Sequence, residues 1–185
     1  EIESQKGVAL HATLEEALSS GERTLVLITD GFPSLDFPPG KSILYLRPRW
    51  LAVGVGCRKG VSAGEVEAAV TRTLKERNLS PLSIRCLSTL DRKAGEEGLL
   101  SFSLAAGLPI EYHSREAING VRSIPNPSRV AREKLGVRGV CEPAALLSAP
   151  GGRLICPKRK WGAVAVAVAR APFLLSGSAP AHRNT

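Results

Sequence analysis

Arg58, Lys59, Lys93 and Lys158, together with Gly54, Gly56 and Gly60, are the residues whose types and spacing could do chemistry here, and that chemistry is anion capture. The run Leu51-Ala-Val-Gly-Val-Gly-Cys-Arg-Lys-Gly-Val-Ser-Ala-Gly-Glu65 reads as a buried strand, a glycine-rich basic loop and a helix start. Ser62 with Glu65 three residues later makes a capping box. The glycines let backbone N–H groups of Gly56–Gly60 approach a ligand, and Arg58 and Lys59 add positive charge where a helix dipole already favours an anion. The spacing Gly-x-Gly-x-x-x-Gly is one residue longer than the dinucleotide fingerprint, and no acidic residue ends a second strand about 20 residues on, so a nicotinamide cofactor is not expected. No Gly-Lys-Ser/Thr follows, which excludes a Walker loop. The competing reading is that these glycines pack a strand against a helix.

Other candidates carry alternatives of their own. Lys93 and Glu96 share a loop with Asp91 and Glu97, where carboxylates beside a lysine suit acid/base work or ligand orientation; helix capping and solvent exposure explain the same residues. Glu142 precedes Pro143 at a helix start, a place for either a cap or a functional carboxylate. Ser128 can donate to a ligand or cap its own helix. Lys158, just beyond a strand ending in Pro157, has the best independent case as a ligand cation. Cys57 adjoins Arg58 and Lys59 at a helix N-terminus, a setting that lowers a thiol pKa, whereas a packed loop thiol is the default. His113 stands alone, without partners for a triad. The four cysteines, at 57, 86, 141 and 156, form no Cys-x-x-Cys pair and have no histidine at ligand spacing, so neither a metal site nor a catalytic base emerges.

The elements that must position these residues follow from periodicity. Leu25–Thr29 and Ile43–Leu46 read as strands around a turn-rich segment over 30–41, so residues 1–50 look like a partial β/α unit. Leu51–Gly56 is the next strand, and a helix runs from Ser62 to about Arg77, with Val66, Ala69, Val70, Thr73 and Leu74 on one face. Leu82–Leu87 is a strand, Asp91–Gly98 a loop and cap, and a helix continues to Ala106. Pro109–Tyr112 is a short strand and Ser114–Asn119 a short helix. Asn126 and Pro127 predict a cap and first helical position for Ser128–Leu135, and Glu142–Ala149 is helical. Arg153–Pro157 and Ala163–Arg170 read as a hairpin joined by Lys158-Arg-Lys-Trp-Gly162. The expected fold is α/β, three-layer α/β/α, with a mixed sheet and a C-terminal β-hairpin. Residues 171–185 read as a flexible tail or linker.

Composition bounds the partners. With 185 residues and 43% apolar content the chain supports one main globular domain. No window reaches the ~18 to 20 apolar residues of a membrane span, which predicts a cytoplasmic protein without membrane contact. The charge of +8 raises a polyanionic partner, but basic residues are scattered among acidic ones and aromatics make up 4%, so nucleic acid is not expected. Basic points instead concentrate at Arg58-Lys59, Arg92-Lys93 and Lys158-Arg-Lys160, loops that would ring a cleft for several carboxylates if they share one edge of a sheet and that are otherwise a solvated surface. A chain that begins at Glu1 and holds no methionine reads as part of something longer.

Five ordered blocks resemble a known family: the 51–65 run, Thr89-Leu-Asp-Arg-Lys-Ala-Gly-Glu-Glu-Gly-Leu-Leu100, Pro125-Asn-Pro-Ser128, Gly136-Val-Arg-Gly-Val-Cys-Glu-Pro-Ala-Ala-Leu-Leu147, and Leu154-Ile-Cys-Pro-Lys158 with Ala163-Val-Ala-Val-Ala-Val-Ala-Arg170. Together they are similar to the C-terminal domain of CbiG and to the stand-alone CobE proteins of cobalamin biosynthesis. Glu97 departs from the family's proline, Arg129 from its acidic residue and Ala165 from its threonine. The resemblance implies that 51–170 is the CobE-like domain and 1–50 the end of the preceding CbiG region. It implies a parent cobalt-precorrin-5A hydrolase, which opens the ring-A lactone and releases acetaldehyde, with cobalt arriving inside the substrate and no further cofactor. The implied ligand is the polycarboxylate cobalt-precorrin, met by Gly54, Gly56, Cys57, Arg58, Lys59, Gly60, Lys93, Glu96, Ser128, Glu142 and Lys158. The alternative is a non-catalytic module docking CbiG to a pathway methyltransferase.

Overall fold

The computed structural model describes residues 8–33 and 39–172, and within it the chain divides into two units. The first covers residues 1–27, 34–46 and 173–185. Its described part holds helix α1 (Leu14–Ser19) and a two-stranded sheet of β1 (Thr24–Ile28) and β2 (Ser42–Leu46), although Ile28 itself falls in the second unit. Helix α1 was not anticipated. Its signal was a second capping box, Thr13 accepting from Glu16 N while the Glu16 carboxylate accepts from Thr13 N. Lys41 Nζ ties the loop after α1 by donating to Ser20 O at 2.8 Å and Glu22 O at 2.9 Å. The expected tail lies outside the described residues from 173 onward.

The second unit, residues 28–33 and 47–172, contains a five-stranded mixed sheet in the order β5-β4-β3-β7-β6. Its strands are β3 (Leu51–Cys57), β4 (Ile84–Leu90), β5 (Ile110–His113), β6 (Arg153–Trp161) and β7 (Val164–Arg170). The first three run parallel, and β7 enters antiparallel to β3. Helices α2 (Ala63–Glu76), α3 (Glu97–Ala106), α4 (Arg115–Gly120), α5 (Arg129–Leu135) and α6 (Cys141–Leu147) complete it.

Side-chain size along the strands builds the layers. Leu51, Val53 and Val55 of β3, with Val164, Val166 and Val168 of β7, point into one core with Val66, Val70 and Leu74 of α2 and Leu99 and Phe102 of α3. The alternate positions are small: Ala52 and Ala169 meet Ala145 of α6 and Ala149 just past its end. Gly54 completes this narrow face, because a Cβ there would stand 1.8 Å from Cys141 O and 2.9 Å from Ala145 N. Period-two alternation of large and small residues thus sets a bulky layer on one face and a closely approaching helix on the other. A third cluster, Leu90, Ile118, Ala131, Val137, Val140 and Ala144, seats α4 and α5 beyond the end of β4.

Several expected boundaries move. The hairpin turn is only Gly162-Ala163, since β6 continues through Lys158, Arg159 and Lys160 to Trp161. Pro157 is accommodated because β6 is the edge strand and its register against β7 shifts between Cys156 and Arg159. The α5 cap is Ser128 rather than Asn126, with Ala131 N donating to Ser128 Oγ at 3.3 Å. A 3₁₀ turn, Pro81–Ser83, delays β4, which then reaches Leu90.

The segment 28–33 is held by a clasp. The buried Asp30 carboxylate accepts from Arg170 Nε at 2.6 Å, Arg170 Nη2 at 2.8 Å and Trp50 Nε1 at 2.7 Å. A bidentate guanidinium pair of this kind is stronger and more directional than a single contact.

Candidate functional site

The parallel strands β3 and β4 end side by side, and the loops leaving them meet. The Arg58 N–H donates to Ala163 O at 3.0 Å, which puts the β6–β7 turn beside the basic loop. Gly60, at φ +79, turns the loop back toward α2 in a conformation costly for a residue with a Cβ. Its N–H donates to Glu96 Oε2 at 3.2 Å, and Lys93 Nζ donates to Glu96 Oε1 at 2.8 Å. Lys93 and Glu96 keep only 11% and 12% of their side chains exposed. The Lys93 ammonium bonded to Glu96 holds that carboxyl below its ordinary value, with the Gly60 N–H adding to the effect.

Helix packing fixes the wall of this corner. A Cβ on Gly98 would stand 2.0 Å from Val61 O, so the first turn of α3 lies directly on the backbone leading into α2. The Ser62–Glu65 capping box is present as expected, with Ser62 N donating to Glu65 Oε2 at 2.9 Å and Glu65 N to Ser62 Oγ at 3.3 Å. Between the two helix starts opens a cleft of about 570 Å³, lined by Lys59, Gly60, Ser62, Glu96, Glu97 and Ser101 among others. Arg58, Lys59 and Arg92 are exposed at this end of the sheet and make no ion pair among the described residues.

The remaining predicted residues gather against the other layer. The Glu142 carboxylate, 1% exposed, accepts from Asn126 N at 3.0 Å, Asn126 Nδ2 at 2.8 Å and Lys158 N at 2.8 Å. The register shift in β6 coincides with Lys158, whose N–H goes to this carboxylate. Lys158 Nζ donates to Asn126 O at 2.6 Å and Pro127 O at 3.3 Å. Ser128 Oγ is engaged as the α5 cap. The sequence grouped Arg58, Lys93 and Lys158 at one rim. The structure brings the Arg58–Gly60 loop to Lys93 and Glu96, and seats Lys158 with Glu142 and Asn126 against α6. Gly54 and Gly56 stand within β3, where the first abuts Cys141 and Ala145 and the second faces Val140; the packing reading describes them. Asn126, read as a cap, is instead a Glu142 partner, and the Pro on either side of it was the available signal for a non-helical loop.

Of the two readings of Cys57, the packed thiol describes it and the low-pKa setting does not. It lies half-buried at the end of β3, and burial pushes its thiol up, outweighing the opposing effect of Lys93. Cys86 and Cys141 are more strongly affected, each pushed up to about 12 by burial. Among the described residues no three His, Cys, Asp or Glu side chains gather as a metal-binding group. His113 Nε2 lies 2.8 Å from Ser148 Oγ, and burial lowers its pKa. Beside it Arg85 Nη1 donates to Glu111 Oε1 at 2.6 Å, a bond that helps hold the Glu111 carboxyl down against its burial.

The comparisons with known proteins agree with this architecture. Residues 51–169 match the family described as Cobalamin synthesis G C-terminus. The chain is 39% identical over 131 residues to a cobalt-precorrin-5A hydrolase of Priestia megaterium, covering 71% of this chain and 34% of that protein. It is 32% identical over 134 residues to a probable cobalt-precorrin-5A hydrolase of Methanocaldococcus jannaschii, covering 67% of this chain and 42% of that one. The chain therefore spans well under half the length of these curated relatives. The crystal structure of CobE, a protein from the cobalamin biosynthetic pathway, matches with a TM-score of 0.63 at 32% identity, covering 68% of this chain and 92% of CobE. Its five-stranded mixed sheet, its helical layers and its matched residues make this chain a member of the Cobalamin synthesis G C-terminus family of cobalamin biosynthesis.

Proposed function

We propose that this domain binds the polycarboxylate cobalt-precorrin on behalf of a hydrolase that opens the ring-A lactone of cobalt-precorrin-5A and releases acetaldehyde. The observation that carries the reading is the cleft between the α2 and α3 starts, lined by Lys59, with Arg58 and Arg92 exposed on the loops that leave β3 and β4 at the same end of the sheet. Several cations at one end of the sheet suit a ligand with several acetate and propionate arms, because guanidinium and ammonium groups recognise carboxylates as fork and as point charge. A cleft of this size takes one edge of a tetrapyrrole, leaving the reacting ring free to meet groups elsewhere in a longer protein.

Lactone hydrolysis needs a base to activate water and donors to polarise the carbonyl. Here Glu96 already accepts from Lys93 and Gly60, and Glu142 from Asn126 and Lys158. Carboxylates whose oxygens are already taken up by donors are not free to activate a water, which supports a binding role for the domain, the chemistry belonging to another part of a longer hydrolase. CobE, nearly all of which this fold covers, supports the idea of a domain that works as a separate unit.

Titration of the full chain with uroporphyrin, an octacarboxylate tetrapyrrole, and with its methyl ester tests the reading. Preferential binding of the free acid, weakening with salt, is expected; equal affinity for both overturns it. Retention of a pathway methyltransferase on the immobilised chain, with no uroporphyrin bound, transfers the role to docking.

A further inference from the structure

Glu96 lies between the cleft and Lys93: its residue lines the opening, whereas Lys93 does not. Its two oxygens occupy the positions that a ligand carboxylate would take, one on Lys93 Nζ and one on Gly60 N–H. We propose that Glu96 is an internal competitor, a built-in carboxylate that a polycarboxylate ligand must displace to reach Lys93 and the Gly60 amide. This rests on the ligand-binding reading above and adds to it a rule of selectivity.

The surroundings permit such an exchange. Helix α3 itself is fixed by the contact of Gly98 with Val61, so the movable part is the Glu96 side chain, whose hydrogen bonds among the described residues go to Gly60 N–H and Lys93 Nζ. Gly95 and Gly60 on either side have open space where a Cβ would stand. Lys59 lines the same cleft and offers the displaced carboxylate a new partner. One carboxylate replaces another on Lys93, so no buried charge is left unpaired at either end of the exchange. A ligand with a single carboxylate gains nothing net from that swap. A ligand with several gains contacts at Arg58, Lys59 and Arg92 as well, and a second contact on one scaffold is favoured by effective concentration. The exchange therefore discriminates by the number of carboxylates.

The test is uroporphyrin binding to the full chain and to Glu96→Gln, Glu96→Asp and Lys93→Met, with a dicarboxylate porphyrin as comparison and folding checked by circular dichroism. Glu96→Gln is expected to tighten uroporphyrin roughly tenfold, the scale of one charge-assisted hydrogen bond, and to narrow the preference for uroporphyrin over the dicarboxylate. Lys93→Met is expected to weaken binding by a similar factor. If Glu96→Gln does not fold, Glu96→Asp, whose shorter arm releases Gly60, should still tighten binding. Unchanged or weaker binding by a folded Glu96 variant, with Lys93→Met impaired, shows that Glu96 positions Lys93 and overturns the competitor while leaving the ligand site standing. Absence of uroporphyrin binding by every protein, wild type included, overturns the ligand site and the competitor together.

Discussion

Glu96 and Glu142 each stand at the start of a helix, accept a backbone N–H from a neighbouring segment and keep a lysine close, yet their settings differ. Glu142 is sealed at 1% exposure with three donors aimed at it, while Glu96 has two bonds and a flank on an open cleft. Lys158 follows the same division, because its ammonium is engaged by two carbonyl oxygens, whereas Lys93 is bonded to a carboxylate that has somewhere else to go. The comparison teaches that residue type does not assign the work. A carboxylate saturated by donors joins α6, the 126–128 segment and β6 into one piece, and one bonded at the edge of a cavity can be exchanged.

The largest expected effect belongs to the sealed group. Glu142→Ala should cost about 3–5 kcal/mol, the scale of breaking a buried polar pair, because Asn126 and the Lys158 N–H lose their acceptor. Urea denaturation measures it, and a loss below about 1 kcal/mol would erase the distinction drawn here. Gly98→Ala comes next, at about 1–3 kcal/mol, since the new methyl must push α3 off the Val61 carbonyl; uroporphyrin affinity should fall with it as the cleft wall shifts. Glu96→Gln should cost less than Glu142→Ala, about 1 kcal/mol, because the amide oxygen can still accept from Lys93 Nζ, leaving its effect on binding as the dominant one. A Glu96 variant as destabilised as Glu142→Ala would place both carboxylates in the same structural role.

Acid should separate the wild-type chain from Glu96→Gln further. Because the folded Glu96 carboxyl titrates below its ordinary value of 4.5, its stabilising contribution is complete above that value and is lost as pH falls through the lower folded one. Glu96→Gln should therefore show a flatter fall of Tm with acidification below about pH 4.5, in a series of melting curves. The smallest effect is expected at Arg58 and Arg92, where alanine should leave stability within about 0.5 kcal/mol but reduce uroporphyrin affinity and its dependence on salt.

Much of this was legible in the chain. The Ser62–Glu65 box, the helical face from Val66 to Leu74 and the strand beginning at Leu51 all lie where periodicity and capping put them. The neighbouring Lys93 and Glu96 were singled out by type, but their bond to the Gly60 loop joins residues far apart in sequence, and no local rule reports it. Gly54 shows the converse. Its role was visible only as a choice between ligand contact and packing, and the deciding fact is the carbonyl of Cys141, which arrives from the far end of the domain. Lys158 was misplaced in a turn because Pro157 ordinarily ends a strand, while an edge strand with an irregular register tolerates it. Asn126 looked like a cap by its neighbour Pro127, and the pull of a buried carboxylate outweighed that preference.

The Asp30 clasp bears on how this domain can be handled. Its acceptor comes from ahead of the first family-matched residue, and its guanidinium from the last residue of β7, one past the last matched residue. Cloning to the matched limits would therefore discard all three members of the clasp, Asp30, Trp50 and Arg170, and leave the outer ends of β3 and β7 without it. Boundaries for expression, circular permutation or fusion belong upstream of Ile28, where trimming leaves that knot tied.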